Sequence, residues 1–285
     1  MRLRLGLALV LLCPAPAAAT QTTSSSGTGD PLADHSPVVV HARGDRSPLT
    51  SVRAFAGRVP GVRRGRVRPT IYGRRVGPWL QYWLFFAGNG QDRGVLRTGR
   101  HEGDWELLQY RLRGGRVVQG VYSQHAGAER CGRGPLRFAG RRPVAYLAHG
   151  SHAAYFVPGL RDRMWPDPND EADGRGRRMR PRLVRISTDD PPWMRHRGSW
   201  GGSRAGWVPG EMDSPRGPAF QPHGRWSDAA GWAAAARPCR GRRCDARGEC
   251  DGGETAVAAG LAGGGLLAAL LAARRRVRRR APASS

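Results

Sequence analysis

Lysine is absent from this 285-residue chain, because all 47 of its basic residues are arginine. Acidic residues are also scarce, at 22, and the formal net charge is +25. A charge of this sign favours anionic surfaces such as lipid headgroups or acidic wall polymers. The sequence has neither a helix with a basic face nor an aromatic-studded RNA-binding motif, so we expect no nucleic-acid partner. The exclusive use of arginine indicates a biased codon pool more than a function.

Cysteine is infrequent, with five in the chain. Cys13 lies in a segment that we expect to be removed, and the remaining disulfide candidates are Cys131, Cys239, Cys244 and Cys250. An even count in an exported chain predicts two disulfides, although four cysteines allow three pairings. A zinc site is the alternative, but the spacing of the last three cysteines lacks the usual knuckle pairs.

The two ends of the chain carry targeting signals. Residues 1–19 combine a basic start, an apolar run and a small-residue cleavage site, which predicts a secretory signal peptide. Residues 255–273 are uncharged and predict one transmembrane helix, followed by an Arg-rich cytoplasmic tail at 274–285. A flexible Ala/Gly linker is the alternative for 255–273. We therefore expect a single-pass protein of the cell membrane, with its N-terminal domain extracellular.

Sustained helical periodicity is nearly absent between these ends, whereas strand-like stretches recur. The fold class predicted is mainly β: a β-sandwich ectodomain with irregular loops over residues 37–236, plus the C-terminal transmembrane helix. Residues 20–36 are rich in Thr, Ser and Gly and are expected to be disordered. Residues 237–254 are expected to form a Cys-containing juxtamembrane stalk.

The predicted strands of the ectodomain are bounded by glycine-containing turns. They cover residues 37–41, as an edge strand, and then 80–86, 104–112, 116–123, 142–149 and 182–187. Residues 57–77 are rich in Arg, Gly and Pro and are predicted to be loop. Residues 167–174 are predicted to form an acidic surface loop rather than a calcium site, because they lack the glycine and closing glutamate of an EF-hand.

The most informative segment reads Arg-His-Glu-Gly-Asp-Trp-Glu, at residues 100–106. Side chains two apart in a strand share a face, so Asp104 and Glu106 should project together, with His101 just upstream. Leu108 and Tyr110 follow on that face, which places the acids at the mouth of the sandwich. We expect a cation or an arginine to pair with the two acids, because an unpaired buried acid costs free energy. The cluster suits a divalent cation or acid/base chemistry, and the alternative is a surface strand with arginine-paired acids.

A set of motifs over about residues 80–220 is shared with one known family. The motifs are Tyr82-Trp83, His101-x-Gly103-Asp104-Trp105-Glu106, Ser123-x-His125, Tyr146-x-Ala148-x-Gly150-Ser151-His152-Ala153, Trp200-Gly201 and Ser214-Pro215-x-Gly217-Pro218. In combination they resemble the vacuolar protein sorting-associated protein 62 family, a domain of poorly defined function. That family is distantly similar to the necrosis-inducing NLP cytolysins, whose core motif is Gly-His-Arg-His-Asp-Trp-Glu.

The resemblance implies a β-sandwich with a site for a divalent cation, which the cytolysins use to meet sphingolipid headgroups. Carried over to this sequence, it implies His101, Asp104 and Glu106 as ligands of calcium or magnesium. It also implies a fourth ligand near Asn89, with Asp92 as a second candidate. The chain departs from the cytolysin motif at residues 100, 102 and 103, so toxicity through plant sphingolipids is not implied.

Three histidines at strand ends complete a candidate cleft together with Asp92: His125, His149 and His152. The alternative for each is a hydrogen-bonded structural histidine. Ser151 is not interpreted as a hydrolase nucleophile, because Gly-Ser-His lacks the strand-to-helix context of Gly-x-Ser-x-Gly. No catalytic residue is assigned.

Three functions remain open on the sequence. The first is a membrane-anchored binding domain, inserted through residues 255–273, that holds a divalent cation and through it an anionic lipid headgroup or a cell-wall glycan. The second is an extracellular metal-assisted hydrolase of glycan or phosphoester substrates. Carboxylates at i and i+2 of one strand are poorly placed to flank a scissile bond, which disfavours a glycosidase. The third is a purely structural, arginine-paired acid cluster.

Overall fold

The computed structural model describes residues 29–91, 99–163, 167–202 and 214–239. Of these described residues, 41% are in strands and 12% in helices, so the described part of the chain is mainly β, as predicted. Its sheets are mixed. The predicted signal peptide, transmembrane helix and tail lie outside these ranges, as do Asp92, Cys244 and Cys250. Within the described ranges, no helix has the length and apolar character needed to span a membrane.

The larger sheet has seven strands. In spatial order these are β13 (Arg182–Arg185), β2 (Thr70–Val76), β3 (Trp79–Asn89), β4 (His101–Arg113), β5 (Arg116–Gln124), β6 (Gly127–Gly132) and β14 (Arg237–Pro238). The two outer pairs, β13–β2 and β6–β14, are parallel, and the pairs between them are antiparallel. Gly114 and Gly115 connect β4 to β5 with φ of 54° and 71°, the left-handed values that a tight hairpin turn requires.

The smaller sheet contains β12 (Arg178–Met179), β1 (Val38–Val40), β8 (Arg142–Leu147) and β7 (Arg137–Ala139), with β9 (Ala154–Tyr155) also paired to β8. The prediction of an edge strand at 37–41 is wrong. β1 lies between β12 and β8, and all three of its valines are buried. A separate two-stranded ribbon pairs β10 (Gly159–Arg161) with β11 (Asp170–Ala172).

The helices are short: α1 (Pro31–Asp34), α2 (Ala229–Ala235) and 3₁₀ turns at Val52–Phe55, Pro192–Arg195 and Pro218–Phe220. The side chain of Asp30 caps α1 by accepting hydrogen bonds from the backbone of Leu32 and Ala33. This helix corrects the expectation of disorder for the part of 20–36 that the structure describes. The loop predicted at 57–77 is likewise wrong for its last residues, which form β2.

The two main sheets pack face to face. Leu108 and Tyr110 of β4 contribute to the same apolar cluster as Val39, Ala145 and Leu147 of the smaller sheet. The face of β4 that carries the two acids therefore points into this core, as its register predicted. Burial of this shared cluster is the main source of stability for the sandwich.

The opposite face of the larger sheet is buried as well, which the one-sided reading of β4 did not predict. Trp83, Trp105 and Leu107 pack there under the 3₁₀ turns and α2. The covering segments contribute a set of buried tryptophans: Trp193, Trp200, Trp226 and Trp232. Burial on both faces explains why β3 reads as a continuous apolar run rather than an alternating one.

Cys131 and Cys239 form a disulfide, one of the pairings that the sequence left open. The backbone N–H of Cys239 also donates to the carbonyl of Arg130 at 2.7 Å. The start of the predicted stalk is therefore an added strand, β14, that is fastened to the edge of the larger sheet.

Candidate functional site

The start of β4 is shaped by Gly103. Its φ is +61°, and a Cβ at this position would lie 1.8 Å from the carbonyl oxygen of Trp200. Gly201 is held equally close, since a Cβ there would lie 2.4 Å from that of Glu102. The glycines allow residues 200–202 to pass directly over the first residues of β4. The two acids that follow in this strand lie in the protein interior.

Asp104 and Glu106 point to the same face, opposite Phe86 and Leu84 of β3 respectively. Both acids are buried, with 6% and 4% of their surfaces exposed. Among the described residues no arginine contacts either acid directly, and the cation part of the expectation stays a prediction. A serine and a histidine contact the two acids instead.

Glu106 accepts a short hydrogen bond from the hydroxyl of Ser123. Burial raises the pKa of Glu106 to about 8, and the negative charge of Asp104 acts in the same direction. The nearby guanidinium of Arg225 opposes this increase without a direct hydrogen bond. At neutral pH this carboxyl therefore retains its proton for most of the time.

The partner of Asp104 is His152, which the structure places beneath the candidate cleft and not among its lining residues. His152 Nδ1 lies 2.8 Å from Asp104 Oδ2, and its ring stacks on Phe86 with 3.8 Å between centroids. Its Nε2 lies 3.7 Å from Asp45 Oδ2, an ion-pair distance rather than a hydrogen bond. Asp45 in turn pairs with His41 Nδ1 at 3.0 Å. The result is a buried chain of alternating acids and histidines.

The positive charge of His152 stabilises this row of acids and histidines. Burial by itself lowers the pKa of His152, but the hydrogen bond to Asp104 and the charge of Asp45 outweigh it and raise the pKa to about 9. The pKa of Asp45 is lowered well below its usual range, because the two histidines outweigh the effect of its burial. At neutral pH His152 is thus an imidazolium, and it lies between the ionised carboxylate of Asp45 and the side chain of Asp104.

A second polar cluster is centred on Asp170, whose side chain is 1% exposed. His125 Nε2 lies 2.6 Å from one of its oxygens, to which Tyr155 also donates, and Ser151 Oγ donates to the other oxygen at 2.7 Å. Burial raises the pKa of Asp170, but these hydrogen bonds lower it to about 2. The prediction of a surface loop at 167–174 is therefore wrong at Asp170, which lies in β11.

These clusters border one cleft of about 410 Å³, which we call the acidic cleft. Its lining includes Asn89, His101, Asp104, Glu106, His125 and Arg225. All four predicted cation ligands thus reach the same space. Of the other cleft candidates, His125 lines it, His152 lies buried, and His149 is exposed with Nε2 3.3 Å from the carbonyl oxygen of Gly44.

The local contacts of His101 suit a ligand role. Its Nδ1 lies 2.8 Å from the carbonyl oxygen of Gly103, so this nitrogen must be the donor. The tautomer fixed in this way leaves the lone pair on Nε2, which is the usual arrangement of a metal-binding histidine. The described residues nevertheless contain no group of three or more His, Cys, Asp or Glu side chains assembled closely enough to hold a metal. Cation binding therefore stays a prediction.

Sequence reasoning did not find Asp45, His41 or Arg225, which come from distant segments. One signal marks the region in the structure. His125, His152 and His223 are the non-glycine residues with positive φ in the described ranges, at 53°, 57° and 61°. Left-handed backbone is uncommon outside glycine, and here all three residues border or support the acidic cleft.

No family model matches the chain, and no curated protein matches it. The similar solved structures include NLPPya in complex with glucosamine, at 12% identity over 62% of this chain and 79% of that chain, with a TM-score of 0.34. The mannosamine complex of NLPPya gives 12% identity over 62% and 78%, with a TM-score of 0.32. Necrosis and ethylene inducing protein 2 from the agent of cocoa's witches' broom disease gives 15% over 55% and 74%, with a TM-score of 0.34.

These neighbours belong to the class of necrosis-inducing proteins that the motif at residues 101–106 resembles. At such scores the likeness establishes neither a family nor a function. The resemblance to the vacuolar protein sorting-associated protein 62 family stays a prediction.

Proposed function

We propose that the protein is a membrane-anchored extracellular binding protein. Its acidic cleft would take a divalent cation, calcium or magnesium, and through it an anionic lipid headgroup or a cell-wall glycan. The observation that carries this proposal is the convergence of Asn89, His101, Asp104 and Glu106 on one cleft. We further propose, from the motif resemblance, that the chain is a divergent member of the vacuolar protein sorting-associated protein 62 family.

The chemistry of the cleft supports a cation that competes with a proton. Two carboxylates and an amide oxygen are ligands that calcium and magnesium accept. Glu106 must lose its proton to serve as a ligand, and its pKa of about 8 means that cation binding becomes tighter as pH rises. Hydrogen bonds to Asp104 and from His101 would orient these side chains as outer partners do in metal sites.

The cellular location is also part of the proposal. Residues 1–19 would direct export, residues 255–273 would span the membrane, and residues 274–285 would remain in the cytoplasm. The domain that carries the acidic cleft would then face the outside of the cell. Its excess of arginine would favour anionic surfaces there.

Calorimetric titration of the chelator-stripped full chain with CaCl₂ and MgCl₂ at pH 8 tests the cation site. We expect saturable binding by the wild type and a loss of about tenfold or more in affinity for both Asn89→Ala and Asp104→Asn. Glu102→Gln is the matched control, since Glu102 is an exposed acid of the same strand that is paired with Arg58. Absence of binding in the wild type, or equal losses in the control, would overturn the proposal.

A hydrolase is the second candidate, and the raised pKa of Glu106 is the observation that favours it. A carboxyl that keeps its proton near neutral pH can act as a general acid. Turnover of a model phosphodiester or of wall glycan that disappears in Glu106→Gln, with cation binding retained, would favour this candidate over a binding protein.

A further inference from the structure

A second cleft, of about 550 Å³, is bordered by 3₁₀ turns and the β13 edge of the larger sheet. We call it the arginine cleft, and its lining includes Arg53, Arg63, Arg66, Arg68 and Arg182. The floor is formed by buried residues, among them Ser51, Tyr72 and Trp193. Asp190 is the one acid among its described lining residues. The cleft therefore combines a strongly positive rim with a rigid floor.

The five guanidinium groups are unpaired in the part of the chain that the structure describes. None of them forms a hydrogen bond or an ion pair there, whereas several arginines elsewhere do. Arg58 pairs with Glu102, and Arg163 pairs with Asp167. The codon bias towards arginine explains a high count, but it does not explain why unpaired arginines converge on one cavity.

Two glycines hold the arginine-bearing loop against the rest of the cleft. Gly61 has a φ of +79°, and a Cβ there would lie 2.7 Å from the backbone nitrogen of Trp193. Gly65 has a φ of +153°, and a Cβ there would lie 2.2 Å from Nη1 of Arg53. Positive φ favours glycine at both positions, and the close approach to the backbone of Trp193 also requires it at Gly61. The loop is thus folded back so that its positive charges face the same space despite their mutual repulsion.

The floor offers further hydrogen-bond donors. The hydroxyl of Ser51 is buried and has no hydrogen-bond partner within the described ranges. The hydroxyl of Tyr72 accepts from the backbone of Val52 at 2.9 Å, so its own proton remains available. Burial raises the pKa of Tyr72, and the hydrogen bond from Val52 and the charges of Arg53 and Arg182 oppose the increase. These hydroxyls can donate hydrogen bonds to a ligand, and the positive charge of the rim favours an anionic one.

We propose that the arginine cleft is a binding site for a ligand with two or more clustered phosphate groups. An arginine guanidinium group can donate two parallel hydrogen bonds to the oxygens of one phosphate group. Each phosphate monoester carries between one and two negative charges at neutral pH. Five arginines against one aspartate match at least two such groups, whereas one carboxylate would leave most of the charge unanswered. The volume lies within the range of small-molecule sites. This site is separate from the cation site and does not depend on it.

Such phosphate groups could come from a soluble oligophosphate or from a phosphorylated lipid headgroup. The full chain in neutral detergent would be titrated calorimetrically with sodium tripolyphosphate. In parallel, its cosedimentation would be measured with phosphatidylcholine vesicles that do or do not contain a phosphatidylinositol bisphosphate, whose headgroup carries two phosphate monoesters. We expect saturable binding in one of these two arms and a loss of about tenfold or more in Arg53→Gln/Arg182→Gln. The arm that shows binding identifies the source.

The control has to separate a defined site from the general attraction of a basic protein for polyanions. Arg113→Gln/Arg137→Gln removes the same charge from exposed positions outside the cleft, so its affinity should stay within about twofold of wild type. Asp104→Asn should also keep the binding, which distinguishes this site from the cation site. Equal losses in both arginine pairs, or no saturable binding in either arm, would overturn the proposal.

Discussion

The acidic cleft and the arginine cleft differ in the burial and in the pairing of their charged groups. In the acidic cleft the charged groups are buried, and each acid is held by a specific neighbour such as His152 or Ser123. In the arginine cleft the charged groups are exposed, and in the described residues nothing pairs with them. Both clefts meet at one aromatic cluster, because Trp105 borders the first and packs against Tyr72 and Trp193 of the second.

This difference indicates that one set of charges affects the stability of the fold and the other affects binding. Buried charges in a medium of low dielectric constant must be paired for the fold to form, so the loss of one partner in the acidic cleft should destabilise the fold whether or not a ligand is bound. Exposed arginines are solvated and screened, so they cost little when the cleft is empty and remain available for a ligand. Substitutions should therefore affect the free energy of unfolding in the first cleft and binding in the second.

The largest effect should come from His152→Ala. The substitution leaves Asp104 and Asp45 buried without their shared cation, and loss of one partner from a buried ion pair costs about 3–5 kcal/mol. Urea denaturation would measure this as a lower free energy of unfolding. His149→Ala, three positions away and exposed, is the control and should stay within about 0.5 kcal/mol of wild type. Similar values for the two variants would contradict the buried-pair interpretation.

The second effect is a loss of stability as pH rises. The folded state raises the pKa of His152 from 6.5 to about 9, so its contribution is complete below pH 6.5 and disappears as pH passes 9. That shift corresponds to about 3 kcal/mol. Glu106 acts in the same direction between its unfolded value of 4.5 and its folded value of about 8, since the folded state binds this proton more tightly.

Urea denaturation at several pH values between about 5 and 9 would check this dependence. Glu106→Gln replaces the neutral carboxyl by a neutral amide, so the part of the slope below pH 8 should become smaller while the part due to His152 remains. A free energy of unfolding that increases with pH over this window would show that the two buried groups do not carry the protons assigned to them.

The smallest effect should be that of the arginine cleft on stability. Arg53→Gln/Arg182→Gln removes exposed charges that repel one another, so the free energy of unfolding should change by no more than about 0.5 kcal/mol. Thermal denaturation in low and high salt would measure it, with Arg113→Gln/Arg137→Gln alongside. A loss of several kcal/mol would mean that these arginines support the fold, and the contrast between the clefts would disappear.

The sequence allowed the local features of the acidic cleft to be predicted. Alternation along β4 placed Asp104 and Glu106 on one face above Leu108 and Tyr110, and the structure has this register. The partners of the two acids could not be predicted from the sequence. His152 and Ser123 lie in other segments of the chain, which the fold brings next to β4. The expectation of a cation or an arginine followed from the cost of burying unpaired acids, and in the structure a histidine lies beside Asp104.

Asp170 shows most clearly which features could not be predicted from the sequence. In the sequence it belongs to a cluster of acids that reads as a solvated loop, and nothing local distinguishes it from Asp167 or Asp173. In the structure it is buried in β11, where His125 and Ser151 converge on its carboxylate. Hydrogen bonds from other segments, rather than its own neighbours in sequence, make this buried carboxylate tolerable.

Local sequence was enough to predict the β class, most of the central strands and the shared face of the two acids, because side-chain alternation and turn residues act over a few positions. The pairing of charges became visible only once the folded chain was described. The fold brought His152 and Asp45 together under one cleft and five unpaired arginines around the other. Pairing depends on distance in space and on burial, and neither is encoded in the spacing of residues along the chain.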